Sequence, residues 1–268
     1  DALEASLISG DWAYGEQLPA ERALAERFGV GRPLIREVLR RLGERGLVET
    51  KPGRGTFVRE LQPSNGMAAP EVFARRGEVT ARHVIDARRA LESEAAALAA
   101  TQRSPEDLTG LGELLSAFER ADDVAAATEL DVAFHEAVVG ASRNTVLQIL
   151  CGSIRSLTYA LVLRSHTDRL VNDASFGFHR ATYAAIAAGD VNGAREAAAR
   201  HFTSGEQRYG PDLDRPLRDA LRRQADAEPR VARLLRRASD SVHMASWGDS
   251  LQPTAPATGP GGRADAVT

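Results

Sequence analysis

Between residues 80 and 208 the chain repeats one pattern: Ala and Leu recur at helical spacing, and no stretch alternates as a strand would. Such a region has few choices, because its apolar stripes can be buried only against one another. It is therefore expected to be an all-α bundle. Helices are expected near 80–101, 104–121, 123–141, 145–166, 173–188 and 191–208, with a short one near 68–76. Ser104-Pro105-Glu106-Asp107 supplies a cap, a first-turn proline and early acids. Asn144 reads as another cap, and Gly189-Asp190 breaks the last pair.

The first 60 residues are built differently. Apolar-periodic stretches lie near 2–9 and 20–28, and a third runs from Arg32 to Arg45 after the break Gly29-Val30-Gly31. In the third, Ile35, Val38, Leu39 and Leu42 share a core-facing side, while Arg32, Arg36 and Arg40 form a stripe on another. Pro33 suits a first helical turn. Leu47–Thr50 and Thr56–Arg59 read as strands around Lys51-Pro52-Gly53-Arg54-Gly55. Three helices and a hairpin make a winged helix-turn-helix. A helix of this kind fits the major groove, its early arginines can reach guanine edges, and wing glycines let backbone approach the sugar–phosphate chain. The fold class is thus mainly α, a winged helix-turn-helix with a small β-hairpin wing followed by a helical bundle.

Charge supports that division. The chain of 268 residues has 34 Lys and Arg against 37 Asp and Glu. Arg22 to Arg59 nevertheless holds ten basic residues against four acids, and residues 60–214 hold 15 Arg against 22 acids. A small basic module joined to a larger acidic one fits a polyanion binder with a separate control domain. Cys151 is the only cysteine, which excludes an internal disulfide and multi-cysteine metal sites. The longest strongly apolar run, Tyr159–Leu163, is too short to span a bilayer, and no secretory signal is legible. A cytoplasmic protein is expected. The chain begins within a helical pattern and without Met, so residues are expected before Asp1.

The domains expected are 1–60 for DNA binding, 61–79 as linker and short helix with Gln62-Pro63-Ser64-Asn65-Gly66 at its start, and 80–210 for the bundle. Arg215 to Arg237 is basic and reads as solvated and loosely ordered, or as helices broken near Pro229 that touch DNA. From about 249 onward Gly, Pro, Ala and Thr dominate, a composition of disordered chain.

Three of the six histidines fall into a pattern. Asp131 and His135 are four apart on one helix face, His179 precedes the Gly189-Asp190 turn by ten residues, and His201 follows it by eleven. In an antiparallel hairpin those two rings reach the same level. If the 123–141 helix packs there, one carboxylate and three imidazoles converge, a set suited to a divalent transition metal with open positions. The bland reading also stands, since a His on an Ala-rich helix is usually a hydrogen-bonded core or surface residue.

Several runs resemble a known family. Leu18-Pro19-Ala20-Glu21-Arg22-Ala23-Leu24-Ala25, Gly29-Val30-Gly31-Arg32, Ile35-Arg36-Glu37-Val38-Leu39 and Gly53-Arg54-Gly55-Thr56-Phe57-Val58 are similar to the DNA-binding domain of GntR-type bacterial regulators. Arg88-Arg89-Ala90-Leu91-Glu92, Asp131-Val132-Ala133-Phe134-His135, Asn144-Thr145-Val146-Leu147, the segment His179 to Asp190, and Ala199-Arg200-His201-Phe202 resemble the all-α FCD domain of the FadR branch. The resemblance implies that Arg22 and Arg32 contact bases or nearby phosphates, that Arg36 contacts backbone, and that Arg54 and Gly55 lie in a wing at the minor groove. It implies metal ligation by Asp131, His135, His179 and His201, with zinc or nickel as the usual metal. It makes Arg88 the candidate clamp for an effector carboxylate; a salt bridge to Glu92 one turn later is the competing reading. His83, His166 and His243 match no ligand position and read as surface residues. The family usually has Ser or Thr where Gly31 stands and often Thr where Pro33 stands, so altered sequence preference is expected.

These readings lead first to a metabolite-responsive regulator, expected to be a repressor. It would bind a palindromic DNA operator as a homodimer and answer to a small carboxylate effector. A metal-dependent enzyme with an accessory DNA-binding domain is a second reading. Against it, Glu136 points about 100° away from His135 around the helix and no added catalytic set stands out. A DNA binder with a non-functional sensor domain is a third.

Overall fold

The structure, a computed structural model, describes residues 2–60, 70–166 and 169–227. The linker at 62–66, His243 and the segment from 249 onward lie outside the described residues.

Helices α1 (Ala2–Ser9), α2 (Glu21–Phe28) and α3 (Arg32–Glu44) precede a hairpin of β1 (Val48–Lys51) and β2 (Gly55–Val58). Their interior is made by Leu3, Leu7, Leu24, Ile35, Leu39 and Leu42, with Val48 and Val58 closing it from the hairpin. The α2–α3 break follows from Gly29, which takes a left-handed φ of 64° and returns its N–H to the end of α2. Antiparallel pairing sets Val48 opposite Val58 and Lys51 opposite Gly55. The segment before α2 runs along β2, with Leu18 N–H donating to Thr56 and Val58 N–H to Glu16, both at 2.8 Å.

The short α4 (Pro70–Arg75) joins the two halves. Its Val72 and Phe73 enter the N-terminal core, and the next residue, Ala74, enters the core of the bundle. On α4, Glu71 accepts from Ser156 of the bundle. Just beyond it, Arg76 donates to the carbonyl of Leu7 at 2.6 Å and stacks 3.8 Å from the Tyr14 ring.

The bundle follows as α5 (Ala81–Gln102), α6 (Pro105–Glu119), α7 (Val124–Ala141), α8 (Thr145–Ser153), α9 (Arg155–His166), α10 (Arg169–Ala188) and α11 (Val191–Tyr209). Side-chain caps start most of them: Thr80, Ser104, Asp123, Asn144 and Asp190 each accept from first-turn N–H groups. Alanines such as Ala96 and Ala99 on α5 and Ala194 and Ala198 on α11 are buried together, and short side chains there let the two helices pack closely.

Two expectations are corrected. The single helix expected over 145–166 is two, α8 and α9, bent by 62°. Gly152 and Ser153 at the junction are weak helix formers, and the two halves have opposite surroundings. None of α8 is buried, whereas α9 buries Leu157, Tyr159, Ala160, Leu161, Val162 and Leu163. The loosely ordered segment expected from Arg215 begins instead with α12 (Leu217–Ala227), whose Leu217, Ala220 and Leu221 are buried. Its charges are occupied as well: Arg218 donates to the carbonyl of Arg75 at 2.7 Å and Arg223 pairs with Asp212.

Among the described residues no single helix is long and apolar enough to cross a membrane.

Candidate functional site

Two places in the fold concentrate chemistry. The first is the basic face of the N-terminal module. Gly31 is the N-cap of α3 in an extended conformation, with Pro33 in the first turn, so the helix starts where the sequence implied. The side chains of Arg22, Arg32 and Arg36 are 80%, 57% and 62% exposed. Glu21 gathers two of them, standing 2.7 Å from Arg36 and 3.8 Å from Arg32. Exposed pairs of this kind are worth little, so a phosphate can displace the carboxylate at small cost. Arg40 is drawn along its own helix by Glu37 and Glu44. In the wing, Gln17 donates to the carbonyl of Arg54 at 2.8 Å and thereby fixes the turn. Gly55 has φ +106°, and a Cβ there would lie 2.5 Å from the Gln17 amide nitrogen, so only glycine fits.

The second place lies inside the bundle. Asp131 and His135 from α7, His179 from α10 and His201 from α11 meet at one level. The three imidazole rings form a triangle with centroid separations of 5.1, 5.0 and 4.9 Å. His135 Nε2 is 3.2 Å from His179 Nε2 and 3.4 Å from Asp131 Oδ1. One ring nitrogen from each histidine lies within 4.8 Å of the others. Phe118, Phe134 and Phe202 wall the rings.

That environment decides protonation. Burial pulls His179 down to about 3, against the raising influence of Asp131. Burial likewise holds His201 well below the usual histidine range, with His179 and His135 adding to it. Burial thus favours the neutral form of both rings, the form that keeps a lone pair. Burial alone would push Asp131 up, but His179 foremost, then His166, keep it well below the usual carboxylate value. Glu92 feels the same upward push, and Arg88 followed by His135 overcome it, leaving Glu92 at about 2. This carboxylate is 2.5 Å from His135 Nδ1. It therefore accepts from Nδ1 and leaves Nε2 facing the cluster, the usual outer support of a metal-binding histidine.

The donor set fits a cation. Asp131 Oδ1, 3.4 Å from His135 Nε2, is buried without a hydrogen-bond partner among the described residues. A cavity beside the cluster is lined by Arg88, Asp131, His166, His201, Ser175 and Tyr209 among others.

Of the neighbouring residues the sequence reading misplaces His166, leaves two readings open at Arg88, and puts His83 on the surface, where it is exposed. Arg88 forms the salt bridge rather than standing open as a clamp: its Nε and Nη2 reach Glu92 at 2.7 and 3.3 Å, with both side chains buried. His166 is no surface residue, being 3% exposed with Nε2 at 2.9 Å from Asp131 Oδ2. His83 closes the capping box of α5 with Thr80. Glu92 was missed altogether as a site residue, although its place one turn after Arg88 was the available signal. Glu136 pairs with Arg155 and is taken out of reach of the cluster. The Cys151 thiol is pushed up to about 11 by burial and then by Glu92, which leaves it unreactive.

Comparison with known proteins bears on both places. Residues 1–58 match the family described as bacterial regulatory proteins, gntR family, and residues 83–204 match the FCD domain. The HTH-type transcriptional regulator Mce2R of Mycobacterium tuberculosis is 31% identical over 203 residues, spanning 74% of this chain and 84% of the relative. The chain belongs to the GntR family, in its FadR-like branch. LutR of Bacillus subtilis, another HTH-type transcriptional regulator, is 30% identical, with 74% of this chain and 93% of LutR covered. The solved structure of Listeria monocytogenes Lar, 18% identical, shares the fold with a TM-score of 0.52 over 76% of this chain and 91% of that one.

As a GntR-family protein the chain is a DNA-binding transcription regulator and not an enzyme. The gntR match takes in the whole wing, and the FCD match contains Asp131, His135, His179 and His201. FCD domains often bind a metal, which agrees with a donor set of this kind. Helix α12 lies beyond both matches.

Proposed function

We propose that this regulator is a repressor that holds a palindromic operator as a homodimer and releases it when a small carboxylate metabolite binds beside a divalent metal. The metal, zinc or nickel, is held by Asp131, His135, His179 and His201. One observation carries the reading: four metal-type donors from three helices meet at one buried level, next to a cavity. Imidazole and carboxylate donors suit either metal. When bound, the metal supplies a Lewis-acid centre with positions left for an oxygen ligand.

The chain's own residues do the remaining work. Glu92 keeps His135 in the tautomer that presents Nε2, and the phenylalanine walls keep bulk water from the donors. With Nε and Nη2 of Arg88 turned to Glu92, an entering carboxylate meets the guanidinium at Nη1. On the DNA side, Arg22 and Arg32 reach bases or adjacent phosphates, Arg36 the backbone, and Arg54 with Gly55 the minor groove. The homodimer is supported by α8, where Val146, Ile149 and Leu150 are 63%, 64% and 43% exposed on one face. The protein acts in the cytoplasm, where its operator is.

The test is anisotropy of labelled operator DNA titrated with a panel of small hydroxy- and dicarboxylates, with and without metal. Release by one carboxylate only from the metal-loaded protein supports the reading. Release independent of metal, or by none of the panel, would favour the non-functional sensor domain.

A further inference from the structure

We infer that His166 is a positioning residue of the metal site: it holds Oδ2 of Asp131 and so leaves Oδ1 turned toward His135 and open to a cation. The inference rests on the metal reading above and adds to it a residue outside the four ligand positions.

The two oxygens of Asp131 are not equivalent. Oδ2 is 2.9 Å from His166 Nε2, whereas Oδ1 is buried, lacks a hydrogen-bond partner among the described residues, and lies 3.4 Å from His135 Nε2. A carboxylate accepts and does not donate, so Nε2 of His166 is the donor to Oδ2. A free carboxylate turns easily about its last torsion, which is broad and two-fold. Tying Oδ2 removes that freedom and leaves Oδ1 as the atom offered to a cation.

His166 is itself held for this task. It ends α9, nine of whose twelve residues are buried, and Phe118 packs edge-on at 5.6 Å between ring centroids. Burying an imidazole with a single partner is costly unless that partner is worth keeping. His166 Nε2 is already engaged by Asp131 Oδ2, so the ring acts through the carboxylate. It thus parallels Glu92, which orients His135 from the opposite side.

The test compares wild type, His166→Phe and His166→Gln in the full chain, titrated with zinc against a competing chelator. Zinc-loaded samples are also read by X-ray absorption for the number of bound imidazoles. His166→Phe is expected to weaken zinc by about 10- to 100-fold. In His166→Gln the amide reaches the same oxygen and recovers most of the loss, with three imidazoles bound throughout. Should His166→Phe fold poorly, His166→Ala replaces it in the same titration. Unchanged affinity in His166→Phe, or in His166→Ala where that replaces it, or one imidazole fewer in His166→Gln, would overturn the inference while leaving a metal site. Wild-type protein that takes up no zinc would overturn the metal reading and this inference together.

Discussion

Glu92 is buried between a guanidinium and an imidazole, and removing it would leave Arg88 charged in the core with no partner. Breaking a buried pair from one side costs about 3–5 kcal/mol. Glu92→Ala should therefore lower the unfolding free energy of the metal-free protein, read by urea titration, by that much; a loss below about 1 kcal/mol, as for an exposed pair, would contradict the burial described. At Gly31 the opposite sign is expected. A Cβ there meets Pro33 Cδ at an ordinary 3.6 Å, so Gly31→Ser fits, caps α3 and adds a hydroxyl at the DNA face. Stability should rise by a few tenths of a kcal/mol, and operator affinity or preference should change. The same preference and affinity in both proteins would remove Gly31 from the interface. The histidines that meet were legible because a spacing of four on one helix and near-equal distances from Gly189-Asp190 are local facts. His166 and Glu92 were not, because what they touch depends on how α9 and α5 pack.

Element boundaries followed the same rule. Capped starts such as Ser104 and Asn144 could be read directly, since a cap bonds to N–H groups within its own first turn. The α8–α9 bend could not, because an apolar run looks alike whether it is buried or left open. Helix α12 was the second of two readings, since eight arginines between 215 and 237 outweigh the Leu217, Ala220 and Leu221 stripe that anchors it. The open face of α8 makes its own prediction. Ile149→Glu places a charge in the centre of the proposed dimer surface, so sedimentation should show a monomer. That monomer should retain zinc and lose most of its operator affinity. A dimer of unchanged strength would move the interface elsewhere.

Across the whole molecule, the DNA face and the metal cluster are separate constructions joined through α4. Arg32→Ala should abolish operator binding with metal content unchanged. His179→Ala should lose metal while the metal-free protein still binds DNA. Both variants losing both properties would refute the modular arrangement. The two constructions meet on α9, which carries His166 near the cluster at one end and Ser156, bonded to Glu71 of α4, at the other. The central claim is that this chain recognises a two-fold operator. Selection of fragments of the source genome on the purified protein, followed by sequencing, tests it most directly. An enriched palindrome with both half-sites on one side of the duplex is the expected result. Uniform recovery of fragments would contradict it.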